Sequence, residues 1–294
     1  MGLRRFARSD QARGMAIISP VALYALLLLA IPLGAIIWIS FWTQTGIRSF
    51  DTAITFENYI EAFTEPLYRL LMMRSLGIAG MVTLVTVITA FPIAYFVSFH
   101  VPAHRKSMWI FLITIPFWTS YLIRVFLWKV ILGYNGVLNS GLTATGLIEE
   151  PLSFILYNAN AVVITLAHAY APFAILPIYV ALEKIDRSLL EAARDLGESR
   201  LRACSRVTLP LAMPGVVAAS LIVFIPTIGD YITPKLVGGP GGLMIANMIQ
   251  TQFLRLNDAP MGAALAVIAM LIVGLVALVF VWAMGRLFGK VRAR

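Results

Sequence analysis

The stretch Glu183–Gly215, EKIDRSLLEAARDLGESRLRACSRVTLPLAMPG, is a charged and regularly patterned island between two long apolar runs. Ser188 followed by Glu191 has the spacing of a capping box, and Gly197 suits the left-handed residue that closes a helix. Ser199 then caps a second short helix running toward Pro210. The expected form is helix, glycine turn, helix. Leu189, Leu190, Ala193 and Leu196 make an apolar stripe, and Glu191, Arg194 and Asp195 supply charge. An ordinary solvated connector is the plain alternative. The length and small residues of the segment fit instead a helix that enters a partner's groove.

What flanks the island decides the fold class. The chain has 294 residues, 60% hydrophobic and 13% charged, with a mean hydropathy of +0.86. Soluble domains are near half apolar and a quarter charged, so this balance belongs to the membrane. A span needs about 20 apolar residues. Runs long enough lie at Met15–Trp42, Ser75–Phe99, Ser107–Ile123, Pro151–Leu182, Val207–Gly229 and Ala259–Gly285. The chain therefore reads as all-α and polytopic, with six transmembrane helices. The first run is too long for a signal h-region and has no small-x-small site after it, so it reads as an uncleaved anchor.

Charge sets the orientation. With the N-terminus inside, 16 of the 23 basic residues fall on inner segments. They are Arg4, Arg5, Arg8, Arg13, Arg105, Lys106, Lys184, Arg187, Arg194, Arg200, Arg202, Arg206, Arg286, Lys290, Arg292 and Arg294. The positive-inside bias then places both termini in the cytoplasm. The net charge of +9 is a topology signal and points to no nucleic acid. The island becomes the last long inner loop, lying flat beneath the bilayer.

At this point the chain resembles the binding-protein-dependent importer permeases. Glu191-Ala192-Ala193, then three residues and Gly197, then nine residues and Val207-Thr208-Leu209-Pro210, are similar to that family's EAA motif. Val207 stands where the family usually has Ile. The resemblance implies a type I ABC importer permease fold and covers about residues 15–285. That permease domain contains a coupling loop at 183–210, and residues 1–14 and 286–294 flank it as cytoplasmic segments. The loop would sit in a cleft on a separate ATPase subunit. Glu191 would make a polar contact there, Ala192 and Ala193 would permit close approach, and Gly197 would form the turn. Asp195, Leu209 and Pro210 complete the coupling set. Implied partners are a homologous second permease, two ATPase subunits, a periplasmic binding protein and the bilayer of the inner membrane.

Nothing in the chain reads as an energy source. No GxxxxGK[ST], HExxH or GxSxG occurs, and Gly238-Gly239-Pro240-Gly241-Gly242 has no following Lys-Ser/Thr and reads as an outer turn. Hence no catalytic residue and no metal site is expected. ATP and Mg are left to the partner. The single cysteine, Cys204, supports neither a disulfide nor a cysteine cluster.

Three stretches are most similar to the spermidine/putrescine permease group. They are Ser120-Tyr121-Leu122-Ile123-Arg124 with Trp128, Leu132-Gly133, Asn135-Gly136 and Asn139; Phe224-Ile225-Pro226 through Asp230 and Gly238-Gly239-Pro240; and Gln252-Phe253 with Asp258-Ala259-Pro260. The implied solute is a polyamine. Relatives for opines, amino acid derivatives, iron or thiamine carry the same pattern. A polyamine path wants carboxylates and aromatic faces. Asp230 at a span's end is the acidic candidate, with Tyr231, Trp118, Tyr121 and Trp128 for ring faces. The alternatives are an interfacial aromatic belt and an Asp230 paired with Arg124 or Lys129 as an outer gate. His168, mid-span, reads as an interhelical hydrogen bond. Gln44–Ser75 reads as an outer amphipathic segment able to receive a binding protein. A gradient-driven transporter would show inverted repeats with unwound midspan segments, and an insertase would leave the Glu191-to-Pro210 spacing unexplained.

Overall fold

The computed structural model describes residues 10–46 and 49–288. Of the inner basic residues, Arg4, Arg5, Arg8, Lys290, Arg292 and Arg294 lie outside that range. Six described stretches are long and apolar enough to cross a membrane: Ile17–Ile39, Pro66–Phe99, Tyr121–Ala144, Ala159–Glu183, Arg200–Gly229 and Ala259–Phe288. Hydrocarbon offers backbone groups no partner, so the helix is the form such segments take.

The third run departs from expectation. It is not one helix over Ser107–Ile123. Instead α4 (Ala103–Thr114) gives way to a 3-10 turn at Ile115–Trp118, and α5 (Tyr121–Leu132) begins afresh. Pro116 has no N–H to continue the ladder, and Thr119 and Ser120 are extended, with ψ of 146° and 136°. Each of these helices has 12 residues. That is about 18 Å, short of the roughly 30 Å of hydrocarbon. The Tyr121–Ala144 stretch is itself interrupted, because Gly133 and Gly136 leave helical backbone before α6 (Val137–Ala144). Pro92, Pro172, Pro177, Pro214 and Pro226, by contrast, lie inside helices that continue through them.

The chain divides into two compact units, residues 1–64 with 251–268 and residues 65–250 with 269–294. The first contains α1 (Asp10–Ile39), a hairpin of β1 (Thr43–Gly46) and β2 (Ser49–Asp51), and α2 (Glu57–Thr64). Of the segment Gln44–Ser75, expected as one amphipathic stretch, the part up to Thr64 is this hairpin and helix, and Pro66–Ser75 belong instead to the long helix Pro66–Phe99. Asn58 Nδ2 closes it, donating to the carbonyls of Ser40 at 3.0 Å and Trp42 at 2.7 Å. Tyr59 and Ser40 hydroxyls meet at 2.6 Å.

The second unit is built on α3 (Pro66–Phe99), α7 (Ala159–Glu183) and α10 (Leu209–Gly229), with α8 (Arg187–Asp195) and α9 (Arg200–Ala203) between the last two. Small side chains fill their contact, among them Ala90, Ala94, Ala161, Ala174, Ala212 and Ala219, all buried. Lipid tails provide no hydrophobic drive for helix association, so close packing must supply it. The approach is tightest at Gly215. A Cβ there would lie 2.5 Å from Ala181 Cβ and 2.6 Å from the Pro177 carbonyl oxygen.

Beyond α10, the segment around the glycine cluster, expected as a turn, is mostly helical. A π-helical turn at Pro234–Gly238 leads into α11 (Gly239–Gly242) and α12 (Ile245–Thr251). It is pinned to α3 where Ile245 N–H donates to Ser75 Oγ at 2.8 Å. The glycine cluster is a packing turn. Gly239 has φ +54°, and a Cβ on it would meet the Tyr157 carbonyl oxygen at 2.5 Å. The last helix, α13, is Ala259–Phe288.

Candidate functional site

Two places in the second unit carry chemistry. The hairpin comes first. The α8 helix is capped by Asp186, whose carboxylate accepts from Ser188 N–H at 3.0 Å, so Asp186 does what the Ser188–Glu191 spacing was expected to do. That bond and the Ser188 hydroxyl hold the Asp186 carboxyl below the usual aspartate range. At the other end Gly197 has φ +86°. Its N–H donates to Arg194 O at 2.8 Å, and Glu198 N–H donates to Ala193 O at 3.1 Å. This pair of bonds is a Schellman closure, which needs a residue at ease with positive φ. Ser199 Oγ caps α9 by accepting from Arg202 N–H at 3.4 Å, as expected. Arg206 bonds Glu198 at 2.6 Å and ties the second arm to the turn.

The second arm does not stop before the span. A π-helical turn at Cys204–Thr208 carries α9 straight into α10, with Leu209 N–H reaching Cys204 O. Pro210 lacks an N–H and crowds the carbonyl four residues back. The wider π turn just before it relieves that clash, so the fifth crossing begins at Arg200 and not Val207.

The expected stripe is split. Leu190 and Ala193 are buried against the chain, whereas Leu189, Ala192 and Leu196 point outward. Leu196 is 85% and Leu201 84% exposed, one on each side of Gly197. Glu191 and Asp195 are also exposed, and Leu209 and Pro210 are half-buried at the base of α10. The hairpin thus offers three leucines, a small residue and flanking charges on its free face.

The root of the hairpin holds a cluster that sequence reading missed. Glu183 Oε1, on the last residue of α7, accepts from Lys106 Nζ of α4 and from Ser98 Oγ of α3, each at 2.6 Å. Arg187 Nη2, on the first residue of α8, donates to the Ser98 carbonyl at 3.2 Å.

The second place is a polar cluster around Asp230, the residue that ends α10 and is only 8% exposed. Tyr121 hydroxyl donates to Asp230 Oδ2 at 2.6 Å and meets Thr233 Oγ1 at 2.7 Å. Asp230 Oδ1 accepts from the N–H groups of Ile232 at 2.9 Å and Thr233 at 3.3 Å. The carboxylate is therefore a cap for the turn that follows it. It forms no ion pair with Arg124 or Lys129, so the alternative of a gate built on that pairing is not met. Among the described residues the ion pairs are Lys106–Glu183 and Arg206–Glu198. Arg124 sits 5.9 Å from the Tyr121 ring centre, its Nε buried without a hydrogen bond.

Two turns along α5, Trp128 Nε1 donates to His168 Nδ1 of α7 at 3.1 Å, the interhelical bond expected of His168. Trp118 is 81% exposed and joins none of these groups. Tyr231 is partly exposed, and its carbonyl accepts from Asn247 Nδ2 at 2.8 Å. Structure therefore brings Tyr121 and Asp230 together and leaves Trp118 apart. Thr233 went unread, though Asp230-x-x-Thr233 before Pro234 has the look of a helix start.

A chain of six apolar helical stretches with this hairpin before the fifth can be compared with known proteins. The family described as binding-protein-dependent transport system inner membrane component matches residues 72–293. This chain belongs to that family. It is accordingly a multi-pass inner-membrane permease subunit of an ABC importer, a transport component and not an enzyme. The permease is 37% identical over 255 residues to the spermidine/putrescine transport system permease protein PotB of Escherichia coli K12, covering 87% of this chain and 91% of that one. It is 39% identical over 237 residues to the protein of the same name from Haemophilus influenzae, covering 81% and 82%. Among solved structures, a bacterial ABC transporter that imports the acidic polysaccharide alginate matches with TM-score 0.73 at 18% identity, over 97% of this chain and 99% of that one. The MetNI methionine transporter matches with TM-score 0.53 at 17% identity, over 78% and 99%. At those identities the likeness is one of fold.

Proposed function

We propose that this permease forms half of the passage of an ATP-driven polyamine importer and takes its motion through the hairpin Glu183–Pro210. The observation that carries the reading is the free face of that hairpin. Its Schellman turn at Gly197 presents Leu189, Ala192, Leu196 and Leu201 with Glu191 and Asp195. Two small or apolar positions per turn let another backbone approach, and the charges fix register. Glu191, Ala192, Ala193, Asp195, Gly197, Leu209 and Pro210 form the coupling set, with Ala193 packing inward and the rest at or beside the contact.

The motor is two separate ATPase subunits that hold ATP and Mg. A homologous second permease completes the passage, and a periplasmic binding protein delivers the solute on the opposite face. Both termini are cytoplasmic, because the basic residues cluster there. Similarity to the spermidine/putrescine permeases over most of the chain supports the polyamine. Asp230 and Tyr121 act as one unit on the path, with Tyr231, Trp118 and Trp128 as ring faces for ammonium groups.

One observation favours a second reading. Arg124 is a cation within α5 with no carboxylate partner among the described residues, which suits a solute that itself bears a carboxylate, such as an opine or an amino acid derivative. Uptake of labelled spermidine, putrescine and an opine into proteoliposomes holding the whole complex separates the two. Copurification in mild detergent tests the assembly, since an ATPase must accompany this chain.

A further inference from the structure

The cluster at the hairpin's root is outside the coupling set, and its geometry points to a use. Four elements converge on two residues. Glu183 ends α7, receives Lys106 from the first turn of α4, and receives Ser98 from the last turn of α3, each at 2.6 Å. Arg187 begins α8 and holds the Ser98 carbonyl at 3.2 Å. The Lys106 side chain is 13% exposed and the Glu183 side chain 33%, so solvent screens the pair in part, and the second bond from Ser98 holds the carboxylate on its covered side. Charge-assisted bonds of this length are the strong ones.

We propose that Glu183, held by Lys106 and Ser98, is the positioning residue through which movement of the hairpin enters α4 and, across the break at Pro116–Ser120, α5. The inference rests on the coupling reading above and names its route. Arg187 fixes the start of the hairpin to α3, and Lys106 fixes the start of α4 to the end of α7. Displacement of α8 therefore pulls on α4. The broken crossing passes it on, because α4 is hinged to α5 at Pro116–Ser120, and α5 carries Tyr121 to Asp230. A single unbroken helix over 103–132 would have no such joint.

The test uses the intact importer in proteoliposomes, with uptake, substrate-stimulated ATP hydrolysis and subunit yield measured together. Glu183→Gln and Lys106→Glu are each expected to lower solute moved per ATP hydrolysed about tenfold, the order of a typical coupling between sites, with normal subunit yield. The double exchange Lys106→Glu with Glu183→Lys restores the pair in reverse and is expected to recover most of the loss. Unchanged stoichiometry in the single variants, a loss that follows subunit yield, or no recovery in the double exchange overturns the proposal. Gly197→Asp serves as the reference. If it uncouples while Glu183→Gln does not, this route alone is wrong; if Gly197→Asp transports normally, the coupling reading itself fails.

Discussion

The hydroxyl of Tyr121 and the carboxylate of Asp230 meet at 2.6 Å across 109 residues of sequence. The bond ties the start of α5 to the end of α10, and Asp230 spends its other oxygen on two backbone N–H groups. A buried acceptor that loses its donor keeps the desolvation cost. Tyr121→Phe is therefore expected to destabilise the permease by about 1–3 kcal/mol, read as a lower melting temperature in detergent. Asp230→Asn retains an acceptor for the backbone and a donor for the tyrosine oxygen, so its stability should change little. If Asp230 also serves the path, polyamine uptake and substrate-stimulated ATP hydrolysis fall in that variant. Unchanged values of both would confine Asp230 to its capping role.

Gly215 and Gly77 both lie inside spanning helices, yet they should respond oppositely. Alanine at 215 drives a methyl to 2.5 Å from Ala181 Cβ and 2.6 Å from a backbone oxygen, neither of which can swing away. Overpacking of this kind costs about 1–3 kcal/mol. At Gly77 a Cβ meets nothing within 4 Å, so alanine there is neutral or stabilising through helix propensity. Denaturation of the two purified variants side by side checks the contrast. Equal stability would mean that α7 and α10 do not approach as closely as described.

Asp186 controls whether α8 keeps its first turn. Its carboxyl is held low by the Ser188 N–H and hydroxyl, so the capping contribution is fully present above the ordinary aspartate range and is lost as pH falls through the lowered value. At neutral pH, Asp186→Ala should expose the amides of residues 187–189 to faster hydrogen exchange, while Asp186→Asn preserves most of the protection. Equal exchange in the wild type and the alanine variant would show that the cap is not used.

Sequence patterns reached some of this and not the rest, for identifiable reasons. The hairpin was readable because its determinants are local: Gly197 needs positive φ, and Ser199 caps the next turn within three residues. Ser188 misled because Asp186, two residues earlier, satisfies the same N-terminal donors. Five spans followed from hydropathy, which reports transfer into hydrocarbon. The third did not, because hydropathy is blind to the N–H that Pro116 lacks. Lys106, Ser98 and Glu183 were invisible as a group, because Lys106 and Ser98 lie 77 and 85 residues from the Glu183 carboxylate they share. The alternative pairing of Asp230 with Arg124 or Lys129 does not form, because the hydroxyl of Tyr121 and two amides already fill the carboxylate.

One cross-linking measurement bears most directly on the mechanical role of the hairpin. Cysteine is placed at Leu201, 84% exposed, with Cys204→Ser removing the native thiol, and inside-out membrane vesicles of the whole importer are treated with a short bifunctional maleimide. The result expected is a covalent adduct with the ATPase subunit whose yield changes between ATP-bound and nucleotide-free states. Labelling of that cysteine by a membrane-impermeant maleimide added to the periplasmic face, or an importer that transports with no such adduct formed, would contradict it.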